Sequence, residues 1–231
     1  MIEETTAVTE NCSRHLAITL HRSRKLDDLQ SIQTGVNGMP VFFYGANMRK
    51  TALIIVDLQN DYFDGGKFPL VGTAAAAGNA ARLLDAARAR GDLVVHIRHE
   101  SAEADAPFFA PGTEGAAINA AVAPAPGETV VVKKAINAFQ GTDLKDVLDA
   151  NGVSDVAIAG AMSHMCIDAV TRAAVDYGYP ATVVHDAVAT RDLEFGGRIV
   201  AAADVHAAFM SALAFGYANL VSTDDYLQGG A

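Results

Sequence analysis

From Thr51 onwards, short apolar runs alternate along the chain with segments in which Ala and Leu recur at helical spacing. Continuous apolar runs of this length are typical of buried strands, and the periodic segments are typical of amphipathic helices. The predicted strands are 51–57, 92–98, 128–133, 155–160, 181–187 and 218–222. The predicted helices are 73–90, 142–150, a helix that Cys166 opens, and 197–215.

This alternation predicts an α/β protein: a three-layer α/β/α sandwich, Rossmann-like, around a six-stranded and mainly parallel sheet. Ligands of such sheets bind beyond the carboxyl ends of the strands, near the point where the strand order reverses. Polar side chains at those ends are therefore the first candidates for a functional site.

Residues 1–49 have a different character, with mixed charges and weak periodicity. We predict an N-terminal extension over 1–49, partly irregular, and one domain over 50–231. Within the extension, 34–38 is typical of a turn and 41–45 of a short added strand. Met48 directly precedes the first strong strand, so the segment is either an extension or an upstream start of a domain that is complete without it.

The formal net charge of −10 argues against nucleic-acid binding, which needs basic patches. No apolar run approaches a membrane span, and the acidic, polar start is unlike a secretory leader. With only Cys12 and Cys166, a disulfide framework is not expected, which favours the cytoplasm. We expect a small-molecule substrate, no membrane partner, and a homo-oligomer packed through Ala-rich helices and an exposed loop at Phe108 and Phe109.

Cys166 follows a small-residue strand and stands at a predicted helix start. Free N–H groups and the positive end of the helix dipole favour thiolate there, which is the nucleophilic form. Free cysteines are also among the most buried residue types, so a structural cysteine is the alternative interpretation.

Two other predicted strands end in groups that suit a nucleophilic site, Asp57 and Lys133. An ammonium lowers the pKa of a thiol by its charge, and a carboxylate accepts the thiol proton and returns it to a leaving amine. Singly, Asp57 could cap a turn and Lys133 could be a solvated strand end. Together with Cys166 at one edge of a sheet, they indicate nucleophilic catalysis.

Three segments carry a family resemblance: VDLQNDYF, KKAINAFQGTDL and GAMSHMCIDAVTRAAVDYGY. They resemble the signature blocks of the isochorismatase-like cysteine hydrolases, and the resemblance covers about residues 51–226. It implies the fold of that family and an Asp57–Lys133–Cys166 triad, with Lys133 chosen over Lys134 because it lies six residues before Phe139. It also implies an oxyanion hole formed by the backbone N–H groups of Met162 and Cys166, and a cis peptide bond between Ala161 and Met162.

The resemblance implies hydrolysis of a C–N bond in a small amide, ureido or lactam-type substrate through a thioester. Nicotinamidases of this family hold a metal with an Asp-x-His element, which is missing around His96 and His99, so we predict no metal and no cofactor. An isochorismatase-type vinyl-ether hydrolase and a catalytically silent oligomeric scaffold are the alternatives. A dinucleotide enzyme is disfavoured, because no glycine-rich turn follows the first strand.

Aromatic and polar residues near the predicted strand ends are candidates for the substrate pocket, although each could equally belong to the core. The candidates are Gln59, Phe63, His99, Phe139 and His164. Charged residues after the fifth strand are interpreted as solvated or interfacial: Arg191, Asp192 and Glu194.

Overall fold

The computed structural model describes residues 50–103 and 105–229, together with the backbone of β1 (Ile32–Thr34) and β2 (Pro40–Phe42). The chain divides into two units, Met1–Met48 and Arg49–Ala231. In the first unit β1 and β2 pair antiparallel, and β2 overlaps the short strand predicted over 41–45. Beyond Thr34, the predicted turn over 34–38 lies outside the described residues, and the extent of the N-terminal extension stays a prediction.

The second unit is built on a six-stranded sheet in which every pair of neighbouring strands is parallel. Its strands and an added hairpin are β3 (Thr51–Val56), β4 (Leu93–His99), β5 (Thr129–Lys133), β6 (Asp155–Ala161), β7 (Ala181–Ala189), β8 (Leu193–Phe195), β9 (Arg198–Val200) and β10 (Ala218–Val221). The order across the sheet is β10-β7-β6-β3-β4-β5. The predicted α/β class and central sheet are confirmed.

Helices cover both faces of this sheet: α1 (Thr73–Arg90), α2 (Leu144–Ala150), α3 (Asp168–Asp176), α4 (Ala202–Gly216) and α5 (Thr223–Leu227). Alternate residues of β3 face opposite sides, so Leu53 and Ile55 pack in the core under α1 and α5. Ile54 and Val56 pack in the core under α2, α3 and α4. These two cores form the predicted three-layer sandwich. Among the described helices, none is both long and apolar enough to cross a membrane.

The strand order reverses between β3 and β6. The chain builds β4 and β5 on one side of β3 and then returns to build β6, β7 and β10 on the other. Parallel sheets bind ligands at such a reversal, beyond the carboxyl ends of the strands. The residues that follow Val56 and Ala161 therefore flank the expected position of the site.

The predicted helix over 197–215 was wrong at its start. Residues 193–200 form the β8–β9 hairpin, and α4 begins only at Ala202. The segment LEFGGRIV places apolar residues on both sides of Gly196 and Gly197, whose φ values of 58° and 76° suit a tight turn. The fifth central strand also continues to Ala189 rather than ending at residue 187 as predicted.

Gly160 allows β6 to approach β3 closely at the strand reversal. Its φ is +131°, and a Cβ atom placed there would lie 2.0 Å from the carbonyl oxygen of Val56. Real Cβ atoms do not approach backbone oxygens this closely, and the obstructing atom belongs to the strand that carries Asp57. Only glycine fits without moving that strand.

Gly160→Ala should therefore lower the free energy of unfolding by about 2–4 kcal/mol, because a methyl group would force β3 and β6 apart and φ is unfavourable. Gly78→Ala is the matched control, since Gly78 lies in α1 and a methyl group at that position would have no other atom within 4 Å. That change should raise stability by about 0.5–1 kcal/mol through helix propensity. Urea unfolding measures both, and equal stabilities of the two variants would contradict the packing argument.

Candidate active site

Four chemically active side chains lie at the carboxyl ends of four adjacent strands. Asp57 follows β3, His99 ends β4, Lys133 ends β5, and Cys166 lies in the turn after β6. His99 and Lys133 are paired in the register of β4 and β5. The structure thus brings together the three residues predicted as a triad and adds His99 beside them.

The Lys133 ammonium lies at the centre of this group and is fully buried. Its Nζ donates hydrogen bonds to His99 Nδ1 at 2.7 Å, Ala135 O at 3.1 Å and Cys166 Sγ at 3.2 Å. It also forms an ion pair with Asp57 Oδ2 at 2.9 Å. An ammonium carries three protons, so these contacts use all of its donors.

A buried ammonium is tolerated only when opposite charge and hydrogen-bond acceptors surround it. Burial alone would lower the pKa of Lys133, but the Asp57 charge and the hydrogen bonds to Asp57 and Cys166 outweigh burial and raise it. Lys133 therefore remains charged at neutral pH. Lys134, one position further along the strand, is exposed, as the alternation of strand side chains requires.

Asp57 offers a buried carboxylate without an aligned hydrogen-bond donor. Its side chain is 0% exposed, and neither oxygen receives a well-aligned donor from the described residues apart from the ion pair with Lys133. Its φ of +53° is uncommon outside glycine, and its N–H donates to Ile97 O at 3.0 Å. One carboxylate oxygen lies within 4.8 Å of Cys166 Sγ. Asp57 can therefore take up the proton of that thiol.

Cys166 lies in a π-helical turn, Ser163–Ile167, rather than opening a regular helix as predicted. The N–H groups of Met165 and Ile167 both donate to Met162 O, and α3 begins only at Asp168. The extra residue that a π-helical turn inserts widens the turn below Cys166. The peptide bond between Ala161 and Met162 is cis. The assignment of the Met162 and Cys166 N–H groups to an oxyanion hole stays a prediction.

The position of Cys166 at a predicted helix start favoured a thiolate, but the structure favours the protonated thiol. Burial, and then the charge of Asp57, raise the pKa of the Cys166 thiol, while Lys133 opposes them. The thiol therefore keeps its proton at neutral pH as long as Asp57 is charged. When Asp57 takes that proton, the nearest remaining charge is the Lys133 ammonium, which stabilises thiolate. The nucleophile is thus generated by proton transfer within the site.

His99 stays neutral in this environment. Burial and the adjacent Lys133 charge lower its pKa, and Asp57 only partly offsets them. Because Nδ1 accepts from Lys133, the ring proton is assigned to Nε2. Asp57, His99 and Cys166 offer ligand atoms within 4.8 Å of one another, as a metal site would, but the ammonium contacts all three. An ion bound by these three groups would have to displace Lys133; the absence of a metal remains a prediction.

Gln59, predicted as a pocket residue, holds His99 in place. Its Oε1 accepts from the His99 N–H, and its Nε2 donates to His99 O and Ala116 O, each at 2.8 Å. The amide is fully buried and has no donor left for a ligand. Gln59 therefore fixes the end of β4 beside Lys133.

An aromatic wall of Tyr62, Phe68, Phe108 and Phe109 stands next to His99. Phe109 lies 5.9 Å from the His99 ring and 4.5 Å from Tyr62, and Phe68 stacks on Phe108 at 4.4 Å between ring centroids. The prediction of an exposed Phe108–Phe109 loop was wrong: Phe109 is fully buried and Phe108 half-buried. Asp61 Oδ2 accepts the Phe109 N–H at 2.7 Å and so draws the loop inwards.

The other predicted pocket residues pack in different places. Phe63 is half-buried and packs against the same core as Tyr62. Phe139 packs against Tyr177, 5.1 Å between ring centroids, in the opposite core. His164 is half-buried, and its Nδ1 lies 2.7 Å from Thr190 Oγ1. The sequence did not single out Tyr62 or Phe68, although Tyr62 lies within the first signature block.

A cavity of about 620 Å³ lies elsewhere, along the amino ends of the strands, where Thr51, Asp155 and Ala181 contribute to its lining. It shares no residue with the triad. Parallel sheets bind their ligands at the opposite edge, where the triad lies, so this cavity is not assigned to the chemistry.

Comparison with known proteins identifies the family. Residues 51–225 match the model of the isochorismatase domain. An uncharacterised isochorismatase family protein of Bacillus subtilis is 46% identical over 178 residues, covering 77% of this chain and 99% of that protein. Maleamate amidohydrolase of Pseudomonas putida is 35% identical over 200 residues, covering 78% and 86%. The solved structure of an isochorismatase-type protein from Oleispira antarctica is 55% identical with a TM-score of 0.77, covering 80% and 100%. The chain belongs to the isochorismatase family, and it is a hydrolase.

Asp57→Asn should lower the pKa of the Cys166 thiol, because it removes the charge that raises this pKa while Lys133 remains. In a Cys12→Ser background, the ultraviolet absorbance of the thiolate should appear at lower pH in Asp57→Asn than in the parent. Asp64→Asn, an exposed change in the same segment, should leave the titration where it is. An unchanged or higher pKa in Asp57→Asn would show that Asp57 does not control this proton.

Proposed function

We propose that this chain is a cysteine hydrolase that cleaves a C–N bond of a small amide, ureido or lactam-type substrate through a thioester at Cys166. The observation that carries the proposal is a single buried ammonium, Lys133, in contact with both the Cys166 thiol and the Asp57 carboxylate. The likeness to a maleamate amidohydrolase supports the same bond type. Such acyl transfer uses a thiol as the nucleophile, a group that accepts its proton and a fixed cation, and all three are in contact here.

In the acylation step, Asp57 accepts the thiol proton as Cys166 Sγ attacks the carbonyl carbon. The S–C bond forms, and the carbonyl oxygen becomes an oxyanion, which we assign to the N–H groups of Met162 and Cys166. Asp57 then delivers its proton to the nitrogen as the C–N bond breaks. Ammonia or an amine leaves, and the acyl group remains on sulfur.

In the deacylation step, the oxygen of a water molecule attacks the thioester carbon while Asp57 accepts a proton from that water. The C–S bond breaks, a carboxylic or carbamic acid leaves, and the proton returns to Cys166. Lys133 keeps its charge throughout, so it stabilises whichever of Asp57 and Cys166 is the anion at each stage. The site therefore never contains two unpaired negative charges.

We further propose a homo-oligomer in the cytoplasm that binds neither nucleic acid nor membrane. Large apolar side chains at Phe195, Ile199 and Phe215 are 86%, 67% and 94% exposed, which favours contact with another copy of the chain. A free thiol at Cys166 suits a reducing compartment. The formal charge of −10 disfavours contact with nucleic acid.

Cys166→Ala should abolish ammonia release from a panel of small amides, ureides and lactams, with turnover reduced at least about 10³-fold. Asp57→Asn should have nearly the same effect, and Lys133→Met should too, because the remaining acid and thiol would have no counter-charge. Lys134→Met and Cys12→Ser are the matched controls and should retain turnover within about twofold.

Far-ultraviolet circular dichroism establishes that each variant is folded. Retained turnover in folded Cys166→Ala or Asp57→Asn would refute the mechanism. If the wild-type chain releases no ammonia from any member of the panel but hydrolyses a vinyl ether, the isochorismatase-type alternative holds. If it hydrolyses neither class, the silent scaffold is the remaining interpretation.

A further inference from the structure

Ser163 places a fully buried hydroxyl group in the turn that carries Cys166. Among the described residues, its Oγ has one hydrogen-bond partner, Nδ1 of His206, at 2.8 Å. Serine hydroxyls in helical turns often bond to a nearby backbone group instead. Because His206 lies on α4, this bond links the π-helical turn Ser163–Ile167 to a separate helix.

The direction of this hydrogen bond follows from the burial of Ser163. If its hydroxyl accepted a proton from His206, the hydroxyl hydrogen would be buried without an acceptor, which is costly. We therefore assign Ser163 as the donor, Nδ1 of His206 as the acceptor and the ring proton to Nε2. Burial, and then the charge of His185, lower the pKa of His206. The ring is neutral at neutral pH, and Nδ1 remains an acceptor.

The helix that carries His206 is fixed at both ends. At its start, Asp192 Oδ1 accepts the Ala202 N–H at 2.8 Å, a role that the interpretation of Asp192 as a solvated or interfacial charge did not anticipate. At its end, the Tyr217 ring lies under the guanidinium of Arg172 from α3, 4.5 Å from its centroid. The imidazole is thus presented from a rigid platform.

The same face of α4 makes a second contact with this turn. Phe209 follows His206 by three residues, so the two side chains lie on one face of the helix. The Phe209 ring lies 6.1 Å from the His164 ring in an edge-on arrangement. On its other side, His164 Nδ1 lies 2.7 Å from Oγ1 of Thr190, which follows β7. The turn is therefore held between α4 and the end of β7.

The position of this turn determines where the thiol lies. Cys166 Sγ is 3.2 Å from Lys133 Nζ and within 4.8 Å of an Asp57 oxygen. Groups of this kind must be held to within about 0.5 Å by supporting contacts, and a displacement of about 1 Å can cost about 100-fold in rate. Turns of the π-helical type are rare and occur mostly at functional sites, so contacts from outside the turn are expected to maintain it.

We propose that His206 is a positioning residue, which acts through its hydrogen bond with Ser163 to hold the π-helical turn so that the Cys166 thiol stays beside Lys133 and within reach of Asp57. This inference rests on the proposed function and adds a residue to the same site. His206 takes no part in the chemistry itself.

Two substitutions of His206 form a matched pair. Asn and Leu have nearly the same shape, but only Asn offers an oxygen that can accept the Ser163 hydroxyl proton. His206→Leu leaves that buried hydroxyl unpaired, so kcat with the best amide of the panel should fall about 10- to 100-fold while KM changes less than about threefold. His206→Asn should keep kcat within about threefold of the wild type.

Substitutions of Ser163 test the other half of the pair. Ser163→Ala removes the donor and should lower kcat about as much as His206→Leu does. The double variant Ser163→Ala/His206→Leu should be no slower than the slower single variant, because both changes remove one hydrogen bond. Ser211→Ala is the control, since Ser211 is exposed on α4, and it should keep kcat within about twofold. Circular dichroism establishes that each variant is folded.

The titration of the Cys166 thiol gives a readout that needs no turnover. In the Cys12→Ser background, Asp57→Asn should lower the pKa of this thiol, and the size of that shift reports how close the thiol lies to Asp57. His206→Leu and Ser163→Ala should reduce the shift to about half or less, whereas His206→Asn should preserve it. A role of His206 in stability alone would lower the free energy of unfolding but leave this shift unchanged in the folded protein.

Equal kcat values for His206→Leu and His206→Asn would overturn the inference, and so would an undiminished Asp57→Asn shift in folded His206→Leu. If His206→Leu does not fold, Ser163→Ala decides the question by the same two measurements.

The two proposals fail in different ways. Cys166-dependent turnover that is indifferent to Ser163 and His206 would leave the proposed function intact and refute the positioning role. A wild-type chain without turnover, in which the Asp57→Asn shift still depends on His206, would refute the proposed function and support the positioning role. Absence of turnover together with a shift independent of His206 would refute both.

Discussion

The buried ammonium of Lys133 is the constraint on which the site depends. A charge at 0% exposure needs compensation from several groups at once, and here these groups come from separate strands: Asp57 after β3, His99 at the end of β4 and Cys166 after β6. The parallel sheet, whose order reverses between β3 and β6, brings these chain positions to one edge. The same contacts that make the ammonium tolerable also hold the thiol and the carboxylate for reaction.

The surrounding polar groups maintain that arrangement. Gln59 fixes the backbone of His99 through its buried amide, and Asp61 fixes the loop that carries Phe109. Because Cys166 is only 2% exposed and its pKa is raised, the thiol is protected until a substrate and a proton transfer to Asp57 make it reactive. Stability and reactivity thus depend on one charge balance. A substitution that disturbs this balance is expected to affect both.

Much of the fold and the triad could be predicted from the sequence, because apolar runs define buried strands and because parallel strands place their carboxyl ends together. Asp57, Lys133 and Cys166 were identifiable on that ground, and the family resemblance chose Lys133 over Lys134. The β8–β9 hairpin was missed because the periodic pattern before Ala202 was extended through Gly196 and Gly197.

What the sequence could not provide depends on side-chain direction and on contacts between distant residues. The bond from Gln59 to His99 joins residues 40 apart, and the bond from Lys133 to His99 joins residues 34 apart. The effect of burial on the Cys166 thiol likewise requires the packed structure, and so it reversed the expectation from the helix start alone.

The central claim is that Cys166 becomes acylated while Lys133 balances the charge of Asp57. Rapid quenching during turnover, followed by intact-mass and peptide mass measurement, tests it most directly. The account predicts a transient mass increase equal to the acyl group of the substrate, located on the peptide that contains Cys166. Continued release of ammonia with an unmodified Cys166 peptide at every quench time, under conditions where acylation is faster than deacylation, would contradict it.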